Sequence, residues 1–159
     1  MTVVWPLPGV IPTTPPPHGM FGFVRRFDVH TGVDLYAPDG SPVVTIERGK
    51  VVAVSPFTGP EAGSPWWAIT SYVMVEGDSG VILYGEVSPT VRVDEVLDEG
   101  FVIGLVQRVL LRDKGLPTSM LHLELYDSGT RVCCESWLPG FSAPDGIRDP
   151  WPIIARFLE

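Results

Sequence analysis

Met120-Leu121-His122-Leu123-Glu124-Leu125-Tyr126 places a leucine at every second position. On an extended backbone successive side chains leave opposite faces, so Leu121, Leu123 and Leu125 share one face and Met120, His122, Glu124 and Tyr126 the other. The leucine face is expected to be core. The second face presents an imidazole with a carboxylate beside it, and Glu124 either orients His122 from behind or is solvated.

The same pattern repeats outward from this strand. Turn chemistry at Asp39-Gly40, Gly49, Gly59-Pro60, Gly63-Ser64-Pro65, Gly77-Asp78-Ser79-Gly80, Asp98-Glu99-Gly100 and Asp127-Ser128-Gly129 separates short apolar runs. Residues 43–46, 50–54, 72–75, 81–84 and 102–106 are rich in β-branched side chains and are predicted to be strands. Ile82, Tyr84 and Glu86 alternate, so Tyr84 and Glu86 are expected to project together into a cleft shared with His122. Helix is expected only over Asp94 to Leu97 and over Trp151 to Leu158, where Pro152 suits a first helical turn. The first 20 residues carry six prolines, which predicts an extended, irregular arm over residues 1–20. The expected fold is therefore all-β, mostly antiparallel, with a single domain over residues 21–159 and little helix. Residues 57–70 form its longest irregular stretch; there Trp66 and Trp67 are adjacent, and at least one is expected to pack inward.

A chain of 159 residues is the size of one domain, large enough to bury roughly 70% of its unfolded surface. A formal charge of −8, with no basic cluster beyond Arg25-Arg26, argues against a nucleic-acid partner. Apolar runs are too short and too interrupted for a membrane span. Residues 1–8 show no basic region followed by an apolar stretch, so no signal peptide is read and synthesis in a cytoplasm is expected. Cys133 and Cys134 are adjacent in sequence, closer than an ordinary disulfide prefers, and are expected as free thiols.

His30-Thr31-Gly32-Val33-Asp34 adds two donors of the kind that, with His122, would leave a zinc ion one open position. Fully extended, residues 30 and 34 would stand about 13 Å apart at their Cα atoms. A bend or reaching side chains are needed, and Gly32 can supply the bend. Two imidazoles and one carboxylate suit a single zinc ion, although iron or manganese also accept such donors.

These features together resemble the lysostaphin-type zinc endopeptidases that cut peptidoglycan. The resemblance runs in order through Trp5-Pro6-Leu7-Pro8, Phe21-Gly22-Phe23-Val24-Arg25, His30 through Pro42, Gly49-Lys50-Val51-Val52, Val75 through Gly80, Leu83-Tyr84, Val102-Ile103-Gly104, His122-Leu123-Glu124 and Asp149-Pro150. It implies a lysostaphin-like peptidase fold with His30, Asp34 and His122 as the zinc ligands. Members of that family also carry one histidine shortly after Leu-Tyr and another two residues before the last ligand, which polarise water and stabilise the oxyanion. This chain has Glu86 and Met120 there.

Glu86 is then the candidate general base, since a carboxylate beside zinc-activated water can accept its proton. Met120 has no proton to donate, so an oxyanion donor would come from Tyr84, Tyr126, Arg25, a backbone amide or the zinc itself, with Met120 left as an apolar substrate contact. Two functions are open at this point. One is a zinc-dependent hydrolase of peptidoglycan cross-links, delivered as a virion-associated component or released at lysis. The other is an inert, zinc-stabilised domain that binds a peptide-like ligand or an assembly partner.

Overall fold

The computed structural model describes residues 2–111 and 119–159, so Met1 of the expected arm lies outside the described residues. Among them, nine strands form one sheet: β1 (Val33–Tyr36), β2 (Pro42–Val44), β3 (Gly49–Thr58), β4 (Thr70–Gly77), β5 (Gly80–Pro89), β6 (Val96–Leu97), β7 (Val102–Val106), β8 (Met120–Tyr126) and β9 (Ile147–Arg148). The main path runs β1-β8-β5-β4-β3-β6; β2 pairs with β7, β7 also with β5, and β9 with β8. Every pairing is antiparallel. The hairpin from β4 to β5 closes at Gly77 opposite Gly80, around the turn residues the sequence places there.

Leu121, Leu123 and Leu125 enter the main core with Val33, Leu35, Val73, Val75, Ile82 and Tyr84. The other face of the sheet is not solvated, however. It carries a second apolar cluster of Tyr72, Met74, Val81, Leu83, Tyr126 and Ile147, with Phe57, Cys133 and Cys134 packed against it. Both faces of β8 are therefore buried, and Glu124 sits in an interior where it must be hydrogen-bonded, not in water.

Two expectations of local structure are corrected. Residues 94–97 do not wind: Asp94 has φ of 79°, and Val96–Leu97 extend beside Gly49 and Lys50 as β6. The backbone amides of Val51 and Asp94 are satisfied across that edge by Glu95 and Val51, which a single helical turn could not offer. Trp66 and Trp67 are 63% and 37% exposed and meet each other edge-on, with ring centroids 6.2 Å apart, so neither enters a core. The Trp67 backbone instead bridges to Leu110. The C-terminal helix is present as α1 (Trp151–Ala155) running into a 3₁₀ turn, with Pro152 in its first turn.

The proline-rich segment is irregular, with one 3₁₀ turn at Pro17–Gly19. It is also bound tightly to the sheet. Val4 donates its amide to Ile46, the Val44 amide reaches Pro6, and Leu7 is fully buried in the main core. The Trp5 ring meets Phe157 at 5.8 Å. Cys133 and Cys134 are free, half-buried thiols.

Candidate metal centre

The site begins with the antiparallel register between β1 and β8, which sets Asp34 directly opposite His122. Cross-strand partners share a face, so a carboxylate and an imidazole are brought together with no loop involved. His30 arrives from the short segment before β1. Its backbone is held by amide bonds with Phe23 and Gly22, and the intervening loop lies directly on β8. A Cβ at Gly32 would stand 2.0 Å from the Leu123 carbonyl oxygen. Gly32 thus permits a close backbone approach, and that approach supplies the bend which brings His30 back over Asp34.

The imidazole tautomers follow from what each ring touches. His30 Nδ1 donates to the Met20 carbonyl at 3.0 Å, leaving Nε2 facing the site. His122 Nε2 donates to Glu124 Oε2 at 3.0 Å, leaving Nδ1 facing the site. Asp34 Oδ1 lies 2.8 Å from His122 Nδ1 and 3.2 Å from His30 Nε2, and the two nitrogens are 3.3 Å apart. Donors about 2.05 Å from a tetrahedral zinc are separated by about 3.3 Å. The triangle therefore has the size of one zinc face, and its chemistry fits: two imidazole nitrogens and a carboxylate oxygen converge in a buried place, where a zinc ion would take the position of the proton that His122 shares with Asp34.

Glu124 is the support behind His122. Thr31 Oγ1 donates to Oε2 at 2.5 Å and Tyr126 OH to Oε1 at 2.6 Å, so both oxygens are occupied. Burial alone would raise this carboxyl, but the His122 hydrogen bond and charge bring it below the ordinary range. Asp34 is treated likewise: burial raises it, and hydrogen bonds from His122 and His30 outweigh that to leave it strongly lowered. Phe57 covers the His122 ring at 5.4 Å, tilted by 33°, over Gly85, where a Cβ would press within 2.9 Å of the Phe57 ring.

Glu86 reaches the site through an irregularity. Tyr72 pairs with Gly85 and Ser71 with Val87, which leaves Glu86 as an extra residue in a β-bulge, at φ of 64°. Strand β5 also changes partner there, from β8 at Gly85 to β7 at Val87. The bulge separates Glu86 from Tyr84, correcting the expectation that they project together. Tyr84 is fully buried in the main core and its oxygen accepts the Ile46 amide, so it makes no substrate contact. Glu86 Oε2 is sealed from solvent with no hydrogen-bond partner. Burial first, and the Asp34 charge second, push its carboxyl up to about 8, with His122 and Arg25 partly opposing.

Of the other candidates, Tyr126 is 2% exposed and committed to Glu124 and the Cys134 amide, so it acts as a brace and not as an oxyanion donor. Arg25 Nη2 lies 3.8 Å from Asp34 Oδ2 at the rim. Met120 is half-buried opposite Tyr36. Sequence reasoning overlooked Thr31, Phe57, Tyr36 and His18. Tyr36 carried a signal, since it lies two residues beyond Asp34 on the same face of β1; His18, in the proline segment, carried none.

The chain belongs to Peptidase family M23, whose profile matches residues 28–133, a span containing all three converging donors, Glu86 and Glu124. No curated protein matches it. Among solved structures, CbpA from L. salivarius REN is similar with a TM-score of 0.66 and 22% identity, covering 99% of this chain and 97% of that one. The catalytic domain of the antimicrobial peptidase lysostaphin from Staphylococcus simulans follows at TM-score 0.55 and 19% identity, covering 86% and 89%. Helicobacter pylori Csd3 shares the fold at TM-score 0.52 and 19% identity, this chain spanning 37% of its length. The fold is lysostaphin-like.

Proposed function

We propose that this chain is a zinc-dependent hydrolase of peptide cross-links in bacterial peptidoglycan, with Glu86 as general base. The convergence of His30 Nε2, Asp34 Oδ1 and His122 Nδ1 into one triangle carries this reading, and membership of a peptidase family supports it. A zinc ion held by these residues would supply Lewis acidity to the scissile carbonyl and make water acidic near neutral pH. The protein's own part is distinct. Glu124, fixed by Thr31 and Tyr126, holds the His122 proton on Nε2, and Met20 holds that of His30 on Nδ1. Glu86, whose carboxyl is raised to about 8 in the metal-free site, is a base only when ionised; in that form its unpartnered Oε2 takes the proton of the attacking water and returns it to the departing amine.

Purified protein should release peptides from isolated peptidoglycan, lose that activity to a chelator and regain it with zinc. A second reading, an inert zinc-stabilised domain binding a peptide-like or assembly partner, is favoured by one observation. His30, Asp34 and His122 are only 4–5% exposed, with Gly19 of the arm against Asp34. Under it, zinc would raise the melting temperature and no peptidoglycan preparation would be cut.

A further inference from the structure

Strand β1 delivers Tyr36 as well as Asp34 to the site face, one cross-strand pair farther along: Asp34 faces His122 and Tyr36 faces Met120. The half-buried Tyr36 hydroxyl lies 3.0 Å from His18 Nε2. His18 is itself placed by the site. Its carbonyl accepts from Arg25 Nη2 at 3.3 Å, the same nitrogen stands 3.8 Å from Asp34 Oδ2, and the adjoining Gly19 packs on Asp34. Asp34, Arg25, His18 and Tyr36 thus form a run of contacts whose two ends lie on β1, beside the donor triangle.

What this arrangement offers depends on the tautomer of His18. With the proton on Nε2, His18 donates to the Tyr36 oxygen, and the phenol hydrogen is left to point at a ligand. Among the described residues around the site, Tyr84 and Tyr126 are engaged in the interior, Tyr72 is buried against Phe57, and Met120 has no donor.

We propose that the Tyr36 hydroxyl is a catalytic hydrogen-bond donor to the oxyanion formed on the scissile carbonyl, and that His18 is the positioning residue that aims it. This rests on the hydrolase reading above. In the zinc-loaded protein, Tyr36→Phe should lower kcat for peptidoglycan peptides on the order of 10²–10³-fold, as loss of one such donor does, with KM, zinc content and melting temperature unchanged. His18→Ala should lower kcat by a smaller factor, and His18→Gln, which retains an N–H donor, should restore most of it. Unchanged kcat in Tyr36→Phe would overturn the proposal while leaving the hydrolase reading intact. Absence of turnover in the unaltered protein would sink the hydrolase reading instead. Tyr36 is then decided by a phosphinic peptide, a stable tetrahedral oxyanion, titrated into the zinc-loaded protein. Tyr36→Phe should weaken its binding by about 10-fold or more, the worth of a hydrogen bond to charge, and equal affinity would rule the donor out.

Discussion

Strands β8 and β5 are hydrogen-bonded neighbours that serve the same site by opposite means. β8 keeps strict alternation, so His122 and Glu124 leave one face while three leucines fill the core on the other. β5 abandons alternation at Glu86, inserting a residue with positive φ where the strand exchanges β8 for β7. The first arrangement satisfies every polar atom it buries; the second leaves a carboxylate oxygen with none. Such a left-handed non-glycine residue costs on the order of 1–3 kcal/mol and persists where the surroundings enforce it. A well-satisfied strand suits holding a metal, whereas an unsatisfied bulge suits accepting a proton.

That division of labour can be broken by substitution. The largest effect is expected for His122→Ala, which should abolish stoichiometric zinc binding and hydrolysis together. It should also cost about 3–5 kcal/mol in chemical denaturation, because Asp34 and Glu124 would keep buried charge without their partner. Retained zinc in that variant would remove β8 from the metal centre. Glu86→Gln should keep zinc by metal analysis and lose on the order of 10²–10⁴ in rate; full activity would show that the bulge has no part in proton transfer. Glu124→Gln lies between the two classes. It should weaken zinc binding by about 10–100-fold in competition with a chromophoric chelator, as loss of support behind a ligand does elsewhere.

The smallest change per step is a pH dependence of affinity. Burial disfavours the charged His122 ring, but the bonds to Asp34 and Glu124 outweigh it and hold the metal-free imidazole well above its ordinary range. Zinc must displace that proton, so affinity should rise with pH, by about tenfold per unit where one proton is released. A flat profile between about pH 5 and 8 would mean that His122 is already neutral before zinc arrives.

The same contrast explains what the sequence discloses. Residues 120–126 are readable because alternation is a rule the strand obeys. Asp34 and His30 are readable as donor types, though not the contact of Gly32 with Leu123 that joins them. Glu86 is readable as chemistry but not as geometry: counting by two from Ile82 pairs it with Tyr84, and only the register shift against β4 shows that the count slips. Residues 94–97 mislead because so short a segment takes its conformation from the strand edge it covers, not from propensity. His18 is invisible because its meaning depends on where an irregular proline segment comes to rest.

The contact between Trp5 and Phe157 has a consequence for how the molecule assembles. It joins segments near opposite extremes of the chain, so it closes a long loop and gains nothing until the strands between have ordered. The proline segment, and with it the turn carrying His18, should therefore dock late. Pulse-labelled hydrogen exchange during refolding should protect the Val4 and Val44 amides after those of β4, β5 and β8, and the site would be completed last by its least regular part.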